Sequence, residues 1–354
     1  MKQFFFLCLA LMVVSVGHAD NLTISSVGKL QEFQQQVNEG DDFSGCTVTL
    51  TSDLDLEGID WIPIGTTGKP FRGTFDGQGH WISNIKVNID GAQTGDVAGL
   101  FGCIDEGARV MRIGIQSGEI RISQKSHPQD DVECYMGGIV GRCKGAISEC
   151  ANQATVYGNL TCARVGGIAG EITESGIVED CYNLGRLYTS KLYEDSNYLG
   201  GIAGICDDGA ICRVYVSASI ESGSTVNTDG IVPMLGYFEI EPEAAFYDDG
   251  ETDMLGFALD GKLNAVGDYS VWNFAEGRLP LLTCLSDQTQ PTAGDVNDDG
   301  QVNVSDVTAL VTIILGGDES EPHIYNHKAA DVNADNAVNV SDVTALVTII
   351  LGLN

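Results

Sequence analysis

Two acidic runs near the C-terminus carry the densest chemistry in the chain: DVNDDGQ at 295–301 and DVNADNA at 331–337. They start 331 − 295 = 36 residues apart, and each leads into the same stretch, VNVSDVTALVTIILG, at 302–316 and 338–352. A hard divalent cation such as calcium takes oxygens from positions 1, 3, 5, 7, 9 and 12 of a loop that turns sharply at position 6. In the first run those positions are Asp295, Asn297, Asp299, the Gln301 carbonyl, Asn303 through a water, and Asp306, with Gly300 at the turn. In the second they are Asp331, Asn333, Asp335, the Ala337 carbonyl, Asn339 and Asp342. Its turn residue is Asn336, the non-glycine type best suited to a left-handed conformation. Aspartate at the last position reaches less far than glutamate would. The plainer reading is two acidic surface turns. Two complete copies in fixed register instead favour two bound calcium ions.

Each loop runs straight into a helical pattern. Val307, Leu310, Val311 and Ile314, and then Val343, Leu346, Val347 and Ile350, recur at helical spacing. No matched helix precedes the first loop. The pattern D-x-N-x-D-G-x-V-N-x-x-D resembles the dockerin module of the first type, and the likeness spans 294–354. It implies a small all-α, calcium-binding domain of paired half-EF-hands with three helices. It also implies folding driven by calcium and a cohesin-like partner domain. The partner contacts it implies fall on Val304, Ser305, Thr308 and Thr312, and on Val340, Ser341, Thr344 and Thr348. The alternative is that these are merely exposed helix residues. Because the two faces are identical, two pseudo-symmetric binding orientations are expected.

The elements that carry this module must fill the remaining length. The chain has 354 residues, 50 acidic against 18 basic, and a net charge of −32. That balance argues against nucleic acid as a partner, since phosphates need Lys and Arg. It argues equally against anionic membrane surfaces. Residues 1–19, MKQFFFLCLALMVVSVGHA, read as a secretory signal with Lys2 before an apolar run and a small-residue cleavage site before Asp20. No later stretch is apolar enough to anchor the chain in a bilayer. A secreted or surface location is expected, with the periplasm left open.

Residues 25–40 read as one amphipathic helix, capped by Ser25 or Ser26, ended by Gly40, with Val27, Leu30, Phe33 and Val37 on one face. From there to 295 short strand-like runs alternate with Gly, Asn and Asp turns. AGLFG (98–102), GGIVG (137–141), GGIAG (166–170) and GGIAG (200–204) share one pattern. Their register glycines Gly99, Gly138, Gly167 and Gly201 lie 39, 29 and 34 residues apart, a solenoid period. The fold class expected is mainly β: a parallel β-helix (β-solenoid) over 20–284, whose open first coil the 25–40 helix would cap. Residues 231–262, with Pro233 and Pro242, read as an irregular coil or a loop at its C-terminal end, and 285–293 as a linker. The G-G-I-x-G motif followed by I-x-x-C-x-N, with the lead-in LTSDLDLEGIDWIPIG (50–65) and the close VWNFAEGRLPLL (271–282), resembles the GLUG repeat of bacterial surface and secreted proteins. That likeness implies a right-handed β-helix and an adhesin-like role, and brings no catalytic residue set.

Cys150, Cys181 and Cys212 are spaced 31 and 31 residues apart, which predicts one column of the stack. There they would form either disulfides between coils or a run of small buried side chains. Asp53, Asp55, Asp60, Asp76 and His80 are close enough in sequence to furnish paired carboxylates for glycoside chemistry. They are equally turn formers. Trp61, Trp81 and Trp272 could stack on sugars, but their apolar neighbours favour core positions. The residues thus point to an exported solenoid that binds a ligand, a polysaccharide or host surface glycan among the candidates. The alternative is a docked polysaccharide-degrading enzyme.

Overall fold

The computed structural model describes residues 21–90, 93–123, 132–160, 162–189, 198–216, 218, 220–222, 231–232, 235–238, 243–247, 271–273, 281–285, 293–297, 301–315, 327–333 and 338–352. The expected export signal, most of the linker, and loop positions 299, 300 and 335–337 lie outside them.

Helix α1 (Val27–Glu39) forms where the pattern requires it. Ser26 accepts a hydrogen bond from the Lys29 amide, and Gly40, left-handed at φ 119°, donates its N–H to the Gln36 and Val37 carbonyls. Its buried face, Leu30, Phe33 and Val37, meets an aromatic cluster in which Phe33 lies 4.9 Å from Phe43, edge-on.

Beyond it the chain winds through four sheets. A ten-stranded sheet, the long sheet, contains Leu22–Ile24, Thr47–Leu50, Thr74–Ser83, Arg109–Ile115, Ala146–Ser148, Ile177–Asn183, Ala210–Val216 and Glu243–Tyr247, paired in that order. Three five-stranded sheets complete each coil. One coil, for example, passes from Ile177–Asn183 to Leu187–Thr189, Tyr198–Gly200, Ala203–Asp207 and back to Ala210–Val216. Pairing between coils is parallel, as in Val110↔Ile147↔Val178↔Ile211. The interior is one continuous core of Ile, Val, Leu, Ala, Cys and Phe side chains. Residues 231–262 were expected to depart from this pattern, and 248–262 lie outside the described residues. Instead Ile231–Val232, Leu235–Phe238 and Glu243–Tyr247 pair in register with the preceding coil. Pro233 and Pro242 lie outside the described residues.

The recurrent motif has a steric cause. Asn152 and Asn183 are fully buried, and Asn152 Nδ2 donates to Asn183 Oδ1 at 2.9 Å and to the Ala154 carbonyl at 3.0 Å. A Cβ on Gly138 would stand 2.3 Å from the Asn152 side chain, and one on Gly167 2.2 Å from that of Asn183. The paired glycines therefore make room for the asparagine ladder one bend away.

The cysteine column is shorter than the spacing predicts. Ala146–Ser148 pairs with Ile177–Glu179, a register that sets Cys150 against Cys181. The next coil is 33 residues long, so Cys181 pairs with Val214 and Cys212 stands opposite Glu179. Cys150 and Cys181 are buried thiols, and desolvation pushes Cys181 well above the ordinary thiol range.

On the outer face of the long sheet, a short antiparallel pair, Trp272–Asn273 with Leu281–Leu282, and a turn at Thr283–Leu285 build a second core. It gathers Trp81, Ala151, Tyr182, Tyr215, Trp272, Leu282 and Leu285. Trp61, Trp81 and Trp272 are thus all buried, as their neighbours suggested.

Candidate functional site

The duplicated sequence folds twice into the same unit. Helices α2 (Val304–Ile314) and α4 (Val340–Ile350) flank the short α3 (His327–Ala330). Asn303 and Asn339 cap the two longer helices, and Asp306 and Asp342 close a capping box on each. The aspartates also tie down the loops. Asp306 accepts from the Asn297 amide at 3.0 Å and the Asn303 amide at 2.7 Å. Asp342 accepts from Asn333 at 3.1 Å and Asn339 at 2.8 Å. Both are fully buried, and Asp295 is 6% exposed.

Buried carboxylates are costly without countercharge. Between 294 and 354 there are ten Asp and Glu residues against one basic residue of the Lys/Arg type, Lys328. An all-oxygen donor set with this charge fits an oxygen-seeking dication. Among the described residues no three of His, Cys, Asp and Glu gather into a metal cluster, and loop positions 298–300 and 334–337 lie outside those residues.

Val296, Ala309, Leu310, Ala330 and Leu346 form the core of the module, with Val307, Ile313, Ile314, Val343 and Ile350 packed around them. Gly294 starts the first loop at φ +97°, against Leu346 of the second copy. Val311 and Val347, expected in the apolar stripe, are instead 37% and 38% exposed. Ala309 and Ile313 take the inward positions, because Asp306 fixes the phase of the helix by pointing inward.

The residues expected to meet a partner face outward. Val304 and Val340 are 70% and 69% exposed, Ser305, Thr308, Ser341 and Thr344 are exposed, and Thr312 and Thr348 are half-buried. Thr312 and Thr348 donate to the carbonyls of Thr308 and Thr344 at 2.8 and 2.7 Å. Seven of the nine exposed large hydrophobics among the described residues are in this module: Val304, Val311, Leu315, Val340, Val347, Ile349 and Leu351. Leu315 and Leu351 escaped the sequence reading. The surplus of apolar residues in TIILG, more than one stripe requires, was the available signal.

Among the described residues, the candidate carboxylates of the solenoid each meet a partner of their own. Asp53 lies 2.9 Å from His80 Nδ1 and accepts from the Trp81 amide, Asp55 accepts from Asn84, Asp60 pairs with Lys86, and Asp76 pairs with Arg112. Other flank acids also meet cations: Glu133 with Arg164, Glu171 with Arg142, and Asp180 with Arg213. Burial raises the carboxyls of Glu149 and Glu171 above the usual range.

Residues 293–351 match the dockerin type I domain family. A stretch of 143 residues is 32% identical to halomucin of Haloquadratum walsbyi, covering 38% of this chain and 1% of that protein. This chain therefore spans a small fraction of that relative's length. A solved chain from Bacteroides ovatus, described as a candidate immunoglobulin A1 protease, aligns at 17% identity and a TM-score of 0.46, over 75% of this chain and 92% of its own.

Proposed function

We propose that this chain is an exported, non-catalytic, adhesin-like or ligand-binding solenoid. A calcium-dependent docking domain would hold it in an extracellular or surface assembly. Dockerin domains bind cohesin domains, and the observation that carries the reading is the matched domain with its two identical, outward helix faces. Two calcium ions would be held by Asp295, Asn297, Asp299, Gln301, Asn303 and Asp306, and by Asp331, Asn333, Asp335, Ala337, Asn339 and Asp342. The ion would supply the countercharge that lets Asp306 and Asp342 stay buried. The proposed division is an export signal at 1–19, a GLUG-type solenoid at 20–284 capped by α1, a linker at 285–293 and the dockerin at 294–354.

The solenoid is read as a binder of polysaccharide or surface glycan. In support, Asp53, Asp55, Asp60 and Asp76 are each engaged by a His, amide, Lys or Arg group. A docked polysaccharide-degrading enzyme is the competing reading.

The test uses the calcium-loaded full chain against a panel of cohesin domains. Replacing Thr308 and Thr312 by Ala should leave binding within about threefold, as should replacing Thr344 and Thr348. Replacing all four should abolish it. Loss of binding with either pair alone would refute two interchangeable faces. A screen of acidic and neutral polysaccharides, scoring binding and product release, decides between ligand binding and hydrolysis.

A further inference from the structure

One flank of the solenoid is the sheet that pairs Ile85–Asp90, Gly118–Ser123, Thr155–Asn159 and Leu187–Thr189. Val87, Ile120, Val156 and Leu187 point into the core, so the alternate residues face outward. They pair in register as Lys86↔Glu119 and as Asn88↔Arg121↔Tyr157↔Tyr188. Over the first of these strands lies a groove of about 370 Å³, a volume typical of ligand sites. The turn at Glu57 and Gly58 forms its wall. Asp55 ties that turn down, accepting from the Glu57 amide and from Asn84 Nδ2, each at 2.9 Å. The Trp61 amide donates to the Lys86 carbonyl at 2.7 Å. The groove is thus held by its own backbone and side-chain bonds, which lowers the ordering cost of binding.

Arg121 lines this groove and differs from the arginines elsewhere on the solenoid. Arg142, Arg164 and Arg213 each meet a carboxylate. Among the described residues Arg121 meets none, and its buried Nε has no hydrogen-bond partner. Its guanidinium lies over Tyr157, 5.6 Å from the ring centroid, and Tyr157 stacks on Tyr188 at 5.0 Å. That contact positions the cation through the ring face and uses none of its N–H donors. Lys86 already meets Asp60 at 2.8 Å. Glu57, Asp60 and Glu119 outnumber Lys86 and Arg121 at the groove, on a chain of net charge −32, so a polyanion would be repelled. Sugar hydroxyls both donate and accept, and carboxylates, the exposed Asn88 amide and the Arg121 guanidinium offer both roles in return. We propose that this groove binds a neutral polysaccharide, held by Arg121 and Asn88. The choice of a glycan rests on the function proposed above, whereas the groove and its arginine without an ion pair do not.

The experiment measures binding of the calcium-loaded full chain to galactomannan, xyloglucan and dextran, with alginate and polygalacturonate as acidic counterparts. Affinity electrophoresis and titration calorimetry provide the readout. The wild-type chain should bind a neutral polysaccharide and neither acidic one. Arg121→Ala should weaken that binding by about tenfold or more, the scale of a lost hydrogen bond to a charged group. Asn88→Ala should weaken it by about threefold, the scale of a lost neutral bond. Asn88 is exposed, so this variant answers the question if Arg121→Ala does not fold. Arg109→Ala, at an exposed position on the long sheet, should bind as the wild type does. Neutral-polysaccharide affinity unchanged in the groove variants that fold, or reduced equally in Arg109→Ala, would overturn the groove and leave glycan binding standing. Binding confined to alginate or polygalacturonate would overturn the neutral assignment alone. Binding to none of these polysaccharides would overturn both the site and the glycan reading.

Discussion

At the scale of single residues, the solenoid depends on pairs whose members are distant in sequence. Gly138 and Asn152 are fourteen positions apart, yet a Cβ on one would strike the other. Gly138→Ala overpacks a buried contact and should cost about 1–3 kcal/mol. Asn152→Ala breaks its bonds to Asn183 and Ala154 and should cost about 1–3 kcal/mol. The double variant should be less destabilised than the sum, because the clash disappears with the asparagine side chain. Denaturant midpoints of the three variants measure this, and additivity within about 0.5 kcal/mol would show the sites to be independent. The motif itself was legible as G-G-I-x-G and C-x-N, but the reason for it was not, because a bend of the coil brings the two halves together. Cys212 shows the converse. Its spacing matched that of Cys150 and Cys181, but a coil of 33 residues put it opposite Glu179, and equal spacing fixes a column only where coil lengths are equal.

At the scale of elements, the informative unit is the loop with its helix. Asp306 accepts two loop amides while capping α2, so one side chain serves both helix start and loop closure. Asp306→Ala should therefore weaken calcium binding at the first loop at least tenfold and lower the helicity of the calcium-loaded domain. Titration calorimetry with circular dichroism reads both, and an unchanged affinity would remove Asp306 from the ligand set. The second loop, with Asn336 where the first has Gly300, should bind more weakly, since only glycine adopts the left-handed turn without steric cost. Equal or tighter affinity in the second loop would reverse that order. These elements could be read from sequence because local chemistry specifies them: an N-cap, a turn residue and a helical period. The same holds for α1 between Ser26 and Gly40. The second core around Trp272, Leu282 and Leu285 could not be read this way. Its apolar residues announce burial, but their partners, Tyr182 and Tyr215, come from coils that only the register brings to one face.

At the scale of the whole molecule, two stabilising schemes follow one another along the chain. The solenoid rests on parallel ladders and buried apolar side chains, including thiols whose protonation follows from burial. Desolvation raises Cys103 and Cys206 to about 11 and Cys134 and Cys284 to about 12, from 9.0. The folded state thus keeps protons that the unfolded chain gives up above pH 9. This stabilisation is complete below pH 9 and is lost as pH rises through 11 and 12. Denaturation midpoints should fall over that window, less steeply in Cys134→Ala, and a slope unchanged by that substitution would refute the assignment. The dockerin relies on a different source of stability. Among the described residues its buried core is five side chains, and its ten acids repel one another against a single lysine. Without a dication its folding balance should be unfavourable. Its 59 matched residues correspond to an unfolding enthalpy of about 40 kcal/mol, large enough to appear as a separate endotherm. Calorimetry of the full chain should show two transitions with calcium, and chelation should remove the smaller while leaving the larger in place. A single transition that shifts as a whole on chelation would mean that the ion supports the solenoid too, and that the two schemes are not independent.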